Sequence, residues 1–298
     1  MNKLLPTLVL TLSALFATGI EAQTLEKIKK DGSITLGHRD AALPFSYLDD
    51  KQQVIGYSTD VCLRIVDAVK AELGMPQLKV NLTPVNAATT IPLLANGTVD
   101  LVCATTTNNA ERQKLVAYAP TTFVTGITLL SKKSSNIRTL DDMKGKTLVG
   151  TAGSTNIKLV TEQNNARNLG MTIKPIQDQP EAFLMVGTGR AAAYVQDDVL
   201  LYTQVATSKT PGDYYISKEP LSVEPYGIVL RKDDPTFKKV VDSAVIALMK
   251  SGELNKIYEK WFLSPIPPKG INLNIPMSAA LKKAIANPTD SPNPQDYK

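Results

Sequence analysis

An alternation of strand and helix patterns, repeated in two successive series, constrains the fold more than any other feature of the sequence. The first series alternates strands with helices over residues 33–37, 60–73, 78–85, 90–95, 99–103 and 109–116. A β-rich run at 123–130 follows, and the second series occupies residues 146–149, 156–169, 171–176, 181–186, 191–195 and 198–206. Strands that alternate with helices build parallel sheets covered by helices. The pattern therefore predicts an α/β fold with two lobes, and a ligand cleft between them at the carboxyl ends of strands.

The remainder of the chain carries fewer signals. Residues 226–230 predict one more strand, and residues 236–250 and 253–262 predict two helices. The end of the chain, residues 288–298, is rich in Pro, Asn and Asp. Such a terminus is expected to fray.

Residues 1–22 have the pattern of a secretory signal peptide. Lys3 supplies a positive charge, residues 4–17 are apolar, and the small residue Ala22 precedes an expected cleavage site at Gln23. The alternative is a membrane anchor, but the apolar run is shorter than the ~20 residues that a bilayer requires. The sequence thus predicts export to an oxidising compartment, removal of the signal peptide, and a mature protein that is not inserted in the membrane.

Composition narrows the chemistry. The chain has 298 residues with one His and two Cys, which excludes a His-rich zinc site and a four-cysteine zinc or iron–sulfur site. No metal, other cofactor or catalytic group is expected. The net charge is +5, and the Lys and Arg residues are scattered without a long basic run. A nucleic-acid partner is therefore not expected.

The two cysteines, Cys62 and Cys103, lie 41 positions apart. An even number of cysteines in an exported protein favours a disulfide, which for a loop of this length contributes roughly 3–4 kcal/mol. The alternative is a pair of buried free thiols.

Two segments have the residue types of an anion site. Segment 103–112 leaves a buried strand, places the hydroxyls of Thr105 and Thr107 on one face, and ends at Arg112, whose planar guanidinium can bind a carboxylate through two hydrogen bonds. Segment 150–155 joins a strand to a helix and offers main-chain N–H groups with the hydroxyls of Ser154 and Thr155. The alternatives are a capping loop with a solvated arginine, and an ordinary capped helix.

Two further charged residues follow predicted strands. Asp197 lies just beyond the strand that ends at Val195, where its carboxylate can receive an ammonium group. The alternative is that Asp197 caps the following helix. Arg39 follows the first strand and is expected to face the same cleft.

Taken in order, these segments resemble the periplasmic solute-binding proteins of polar amino-acid ABC transporters (solute-binding protein family 3), in the glutamate/aspartate-binding branch. The resemblance extends over essentially the whole mature chain. The matching pieces are Gly37-His38-Arg39, Pro44-Phe45-Ser46-Tyr47, Gly56-Tyr57-Ser58, residues 91–98, Thr106-Thr107-Asn108-Asn109, Glu111-Arg112-Gln113, Gly189-Arg190-Ala191, Asp197-Asp198, residues 230–235 and Pro265-Ile266-Pro267-Pro268.

The resemblance implies a type II periplasmic-binding-protein fold in which the chain crosses between the lobes twice. The crossings would fall near residues 124–129 and 224–229. The first lobe would comprise residues 23–126 with 228–298, and the second lobe residues 127–227.

The resemblance also implies roles for individual residues. Arg112 would bind the α-carboxylate of a free amino acid, assisted by Thr107 and Thr155. Asp197 would bind the α-ammonium group, with Thr105 close by. Arg39 would meet an acidic side chain, so glutamate or aspartate is the expected ligand.

Three positions of the side-chain pocket depart from that branch. Thr90 stands where an Arg is common, Gln179 where a His is common, and Ala87 where a Ser is common. The pocket therefore has less positive charge, and asparagine, glutamine or another polar zwitterion is the alternative ligand. Because a hydrogen bond to a charged group contributes roughly 1.5–3 kcal/mol, the loss of one Arg can change the preference at least tenfold.

The function implied is that of a monomeric receptor that performs no chemistry and delivers its amino acid to an inner-membrane ABC permease. The rival is a periplasmic enzyme on the same fold, similar to cyclohexadienyl dehydratase. Such an enzyme needs a general acid positioned in the cleft, and no residue of the sequence indicates one.

Overall fold

A computed structural model describes residues 24–298. The predicted signal peptide, residues 1–22, lies outside the described residues. Over the described range, no helix is long and apolar enough to cross a membrane.

The strands are short and are numbered along the chain. They are β1 (Ser33–His38), β2 (Ala41–Ala42), β3 (Ser46–Leu48), β4 (Val54–Ile55), β5 (Lys79–Pro84), β6 (Leu101–Val102), β7 (Val116–Tyr118), β8 (Phe123–Thr125), β9 (Ile127–Lys132), β10 (Thr147–Thr151), β11 (Thr172–Ile176), β12 (Ala193–Asp197), β13 (Tyr214–Ile216), β14 (Glu224–Tyr226), β15 (Val229–Arg231), β16 (Pro265–Ile266) and β17 (Ile271–Asn272).

The α-helices fill the intervals between the strands. They are α1 (Thr24–Asp31), α2 (Tyr57–Leu73), α3 (Thr90–Ala95), α4 (Thr155–Ala166), α5 (Gln179–Gly187), α6 (Asp198–Thr207), α7 (Pro235–Lys250), α8 (Glu253–Phe262) and α9 (Ala279–Ala286). Short 3-10 helices occur at Arg112–Lys114, Lys133–Ser135, Asp141–Met143, Pro211–Asp213 and Pro294–Tyr297.

Each of two lobes is built on a five-stranded sheet. The sheet of the first lobe has the order β5-β1-β6-β15-β7, and that of the second lobe has the order β11-β10-β12-β9-β13. In each sheet the first three strands are parallel, as predicted. The remaining contacts are antiparallel, because β15 and β9 run against their neighbours. The expectation of fully parallel sheets is therefore wrong, while the predicted two-lobe α/β fold is confirmed.

Two strands cross between the lobes side by side. β8 leads out of the first lobe, β14 leads back, and the two pair with each other in antiparallel register from Phe123–Tyr226 to Thr125–Glu224. Gly126 then separates β8 from β9, and Gly227 with Ile228 separates β14 from β15. The predicted β-rich run at 123–130 and the predicted strand at 226–230 thus each extend over parts of two strands, one in the crossing pair and one in a lobe.

Two other local predictions are wrong. Residues 109–116 form only a 3-10 helix at Arg112–Lys114, because the chain already enters β7 at Val116. The end of the chain does not fray: Pro294–Tyr297 is a 3-10 helix, and Tyr297 is only 1% exposed. Its ring packs with Val124 of β8 and Ala284 of α9, and this apolar contact fixes a segment whose composition is that of a mobile tail.

A disulfide joins Cys62 of α2 to Cys103, with 5.9 Å between the Cα atoms. Both residues are buried in the largest apolar cluster, which packs α2, α7 and α8 against one face of the first sheet. Because Cys103 directly follows β6, the disulfide fixes the start of the loop that carries Thr105, Thr107 and Arg112.

Candidate functional site

One cavity between the lobes brings together all nine residues that the sequence singled out as ligand-binding candidates. It lies at the carboxyl ends of strands of both sheets and at the N-termini of helices, as the α/β pattern predicts. The residues that line it are Arg39, Ala87, Thr90, Ile91, Thr105, Thr106, Thr107, Arg112, Thr151, Ser154, Thr155, Asn156, Gln179, Gln196 and Asp197.

Arg39 follows β1 and points its guanidinium into the cavity. Its main chain is held by Ser46, whose Oγ accepts a hydrogen bond from the N–H of Arg39 at 2.9 Å. The side-chain Nε is buried and has no hydrogen-bond partner within residues 24–298. Burial, followed by the charge of Arg112, lowers the pKa of Arg39 to about 10. Two guanidinium groups therefore act on the same space, and Arg39 keeps a donor available for an anion.

Arg112 begins the 3-10 helix that follows β6 and its loop. Its main-chain N–H donates to Oδ1 of Asn109 at 2.9 Å, and its Nη1 donates to the carbonyl of Thr107 at 3.0 Å. The Tyr118 hydroxyl donates to the same carbonyl at 2.9 Å. These bonds hold the guanidinium against the main chain of Thr107, and both residues line the cavity.

Three neutral side chains complete the wall on the first-lobe side and at α5. Thr105 is half-buried. The Thr90 hydroxyl donates to the carbonyl of Asn86 at 2.8 Å, which leaves only its acceptor lone pairs for a ligand. Oε1 of Gln179, at the start of α5, is buried without a partner among the described residues. This part of the cavity therefore carries hydrogen-bonding groups without charge.

The start of α4 forms the opposite wall. The Ser154 hydroxyl donates to the carbonyl of Thr151 at 2.6 Å and accepts from the N–H of Ile157 at 3.3 Å, so Ser154 caps the helix as the alternative interpretation holds. Oγ1 of Thr155 lies 3.5 Å from Oγ1 of Thr107. Hydroxyls of the two lobes thus meet across the cavity.

Asp197 is the last residue of β12 and is 4% exposed. Its side chain makes no capping bond to α6. Instead, Oδ1 accepts from Nδ2 of Asn156 at 2.8 Å, and Oδ2 accepts from the hydroxyl of Tyr226. Burial, followed by the carboxylate of Glu224, raises the pKa of Asp197 to about 7. No cation within residues 24–298 pairs with this carboxylate, so it is suited to receive one from a ligand.

Several residues of the site were not predicted. Asn156 and Gln196 adjoin predicted residues in the sequence, and their neighbours Thr155 and Asp197 were the only signal. Tyr226 and Glu224 come from the crossing strand β14, where the sequence shows no motif. Glu224 accepts hydrogen bonds from Ser222 at 2.6 Å and from Thr155 at 3.0 Å, which places a second buried carboxylate beside the cavity.

The two lobes contact each other around the cavity. Lys158 of α4 forms an ion pair with Glu111 of the first lobe at the surface. Gly153, in the loop before α4, lies so close to the first lobe that an added Cβ would stand 2.9 Å from the Cα of Ala88. The lobes are therefore closed over the site.

The cavity has separate places for positive and negative charge on a ligand. Arg39 and Arg112 supply two cations, Asp197 supplies a buried anion, and neutral hydroxyls and amides lie between them. No group of His, Cys, Asp and Glu side chains suited to a metal ion occurs in the described part of the chain. The arrangement is complementary to a small zwitterion with an additional polar or acidic group.

Comparisons with known proteins give a consistent result. The family model for bacterial extracellular solute-binding proteins, family 3, matches residues 34–264. The L-glutamate/L-aspartate-binding protein of Pseudomonas aeruginosa is 53% identical over 268 residues, covering 90% of this chain and 89% of the relative. The glutamate/aspartate import solute-binding protein of Escherichia coli K12 is 43% identical over 288 residues, covering 95% of each chain. A crystal structure of a mutant arginine-binding protein from T. maritima superposes with a TM-score of 0.71 at 28% identity, covering 80% of this chain and 99% of that one.

Proposed function

Because the chain belongs to the bacterial extracellular solute-binding proteins of family 3, we propose that its cavity binds free L-glutamate or L-aspartate for uptake by an ABC transporter. The single observation that carries the proposal is the placement of Arg112, Asp197 and Arg39 around one closed cavity. The relatives named above are transport proteins and not enzymes, so the chain is a binding protein and the interpretation as a dehydratase is set aside.

The two ends of an amino acid match two charged groups of the cavity. Arg112 binds the α-carboxylate beside Thr107 and the start of α4 at Thr155, whose hydroxyl donates to Glu224 and leaves only its lone pairs. Asp197 binds the α-ammonium group, with Thr105 nearby. The bound ammonium supplies the cation that the buried carboxylate of Asp197 lacks, and it replaces an unfavourable desolvation by a charge-assisted hydrogen bond.

The guanidinium of Arg39 carries the preference for an acidic side chain. Its Nε is buried without a partner among the described residues. A side-chain carboxylate satisfies this donor and lies next to a second cation. The names of the relatives from P. aeruginosa and E. coli support this choice, since both refer to glutamate and aspartate.

A second ligand class is favoured by a different observation. The partnerless Oε1 of Gln179 accepts a hydrogen bond, which a side-chain amide donates and a carboxylate does not. Thr90 adds no positive charge at this end of the cavity. Asparagine and glutamine are therefore the second candidates.

Uptake follows from closure of the lobes. The first lobe, residues 23–126 with 228–298, and the second lobe, residues 127–227, open and close about the crossing strands β8 and β14. Closure excludes water from the ligand and strengthens each charged contact. After removal of residues 1–22, the protein acts in the periplasm as a monomer and delivers the ligand to an inner-membrane permease.

A thermal-shift screen against the twenty amino acids tests the proposal. We expect L-glutamate and L-aspartate to raise the Tm most, because a ligand that binds only the folded state stabilises it. The Arg112→Ala variant is the control and is expected to show no shift with either ligand. A shift with asparagine or glutamine, without one for glutamate or aspartate, supports the second candidates; no shift with any amino acid contradicts the proposal.

A further inference from the structure

The last eleven residues of the chain lie against both the crossing strands and the loop that carries Arg112. We call residues 288–298 the C-terminal segment. It lies beyond residue 264, where the match to the family model ends. The segment is fixed to β8 and α9 through Tyr297, whose ring is buried with Val124 and Ala284. Near the crossing strands, the main-chain N–H of Thr121 donates to the carbonyl of Thr289 at 2.8 Å.

Tyr297 also holds the segment through its hydroxyl. The hydroxyl lies 2.8 Å from Oγ1 of Thr121 and donates to the carbonyl of Ser291 at 2.8 Å. A salt bridge of 2.9 Å joins Lys238 of α7 to Asp290. These contacts hold the segment so that the carbonyls of Asp290 and Ser291 point at the loop that carries Asn108.

Those two carbonyls bind the side chain of Asn108, which is 1% exposed. Nδ2 of Asn108 donates to the carbonyl of Asp290 at 2.8 Å and to that of Ser291 at 3.3 Å. Nε2 of Gln113 donates to the same Asp290 carbonyl at 2.8 Å and to Oδ1 of Asn108 at 2.9 Å. Both ends of the Asn108 amide are thus bonded, one directly to the segment.

Asn108 lies in the part of the loop that aims the guanidinium of Arg112. The residue before it, Thr107, provides the carbonyl to which Nη1 of Arg112 donates, and the residue after it, Asn109, accepts from the main-chain N–H of Arg112. The main-chain N–H of Asn108 also donates to the carbonyl of Pro225 in β14 at 2.7 Å. Asn108 thus stands between the two residues that Arg112 contacts, of which the Thr107 carbonyl is also held by the Tyr118 hydroxyl.

We propose that Asn108, held by the carbonyls of the C-terminal segment, is a positioning residue that sets the direction of the Arg112 guanidinium toward the ligand carboxylate. The inference rests on the proposed function, because it assigns the carboxylate to Arg112. The segment also contacts Val124 of β8 and Thr121, two residues before β8, so it joins the ligand loop to a strand about which the lobes close. The affinity for the amino acid then depends on residues that do not touch it.

A double-mutant cycle tests the inference. The variants are a chain that ends at Asn287, Asn108→Ala in the full-length chain, and the two changes combined, each titrated with L-glutamate by calorimetry. We expect each single change to weaken binding about tenfold. The combined variant should bind within twofold of the weaker of the two single variants, because both changes remove the same contact. Binding within twofold of the wild type in the shortened chain, or effects that multiply, would overturn the inference.

Two further variants keep this result separate from general loss of stability. Leu254→Ala removes a buried side chain of α8, which belongs neither to the segment nor to the cavity lining; it is expected to lower the Tm without changing the Kd. Tyr297→Ala removes the side chain that packs the segment against Val124 and Ala284, while the chain keeps its full length. This variant replaces the shortened chain in the cycle if the shortened chain does not fold.

A readout without ligand separates this inference from the proposed function. Hydrogen exchange of the main-chain N–H of Arg112 in the ligand-free protein is expected to speed up at least tenfold when the segment is removed. If the wild type binds no amino acid, the proposed function fails, and the exchange rate alone decides the positioning role. An unchanged exchange rate then overturns it.

Discussion

The hydroxyl of Tyr226, on the crossing strand β14, donates a hydrogen bond to the carboxylate of Asp197 at the end of β12. Asn156 donates the other hydrogen bond to this carboxylate. Both donors are neutral, and the charges that raise the pKa of Asp197, on Glu224 and Asp198, have the same sign as its carboxylate. The ligand-free protein therefore keeps a buried carboxylate at an energetic cost that an ammonium group relieves.

The first prediction concerns stability without ligand. Burial and Glu224 raise the pKa of Asp197 from 3.8 in the unfolded chain to about 7. Between these values the folded protein holds a proton that the unfolded chain has lost, so this group makes stability fall as pH rises from about 4 to 7. Asp197→Asn cannot ionise and is expected to raise the Tm of the ligand-free protein at pH 8 while abolishing binding.

Thermal unfolding of the wild type and of the Asp197→Asn variant, without ligand at pH 5 and pH 8, tests this prediction. The gain in Tm should shrink at pH 5, where the wild-type carboxyl is largely protonated. A variant that is less stable than the wild type at pH 8 would show that Asp197 stabilises the fold rather than the ligand.

The second prediction concerns the pH dependence of affinity. Because the ligand ammonium needs an ionised Asp197, binding must displace the proton that Asp197 takes up below pH 7. The Kd for L-glutamate should rise by roughly tenfold per pH unit below 7, as proton linkage requires. Calorimetry from pH 5 to pH 8 measures this change in Kd.

The control is the His38→Asn variant, since His38 is the only histidine in the sequence and precedes Arg39. This variant should keep the same pH dependence of the Kd. A Kd that does not change with pH in the wild type would argue against an ammonium contact at Asp197.

The third prediction separates the two ligand classes. Arg39→Gln replaces the cation by a neutral amide at the place proposed for the side-chain carboxylate. A hydrogen bond to a charged group contributes about 1.5–3 kcal/mol, so the affinity for L-glutamate should fall by tenfold or more. Binding of L-glutamine, titrated in parallel, should change less. An equal loss for both ligands would place Arg39 outside the side-chain pocket.

The fourth prediction tests closure. Gly153→Ala would place a Cβ 2.9 Å from the Cα of Ala88 in the other lobe, at a positive φ of 74°. The variant should bind L-glutamate about tenfold more weakly because the closed state is blocked. Gly189→Ala is the matched control, since Gly189 has nearly the same φ of 75° and nothing within 4 Å of the added Cβ. If both variants bind L-glutamate equally weakly, backbone strain and not contact between the lobes is responsible for the loss of affinity.

Much of the site could be predicted because its residues follow strands. Arg39, Thr105 and Thr107 come directly or shortly after β1 or β6, Asp197 is the last residue of β12, and the carboxyl ends of parallel strands meet at one edge of a sheet. The positive groups and the acid could therefore be assigned to one cleft. The periodicity likewise gave the two lobes and the bounds of α3 and α8, whose turns and apolar spacing are local properties.

The missed features depend on contacts between distant parts of the chain. Tyr226 lies 29 positions from Asp197, and no spacing links a crossing strand to the strand end beside it. The order of residues 288–298 comes from burial of Tyr297 against Val124, which composition does not reveal. β9 and β15 each enter a lobe from a crossing strand, and such a strand can join the sheet in either direction, so the local pattern does not reveal that both are antiparallel to their neighbours.

A crystal structure of the protein with L-glutamate bound tests the central claim most directly. It should show the α-carboxylate on the guanidinium of Arg112, the ammonium group on the carboxylate of Asp197, and the side-chain carboxylate on Arg39. A ligand in the reverse orientation, with its ammonium group away from Asp197, or a ligand outside this cavity would contradict the account.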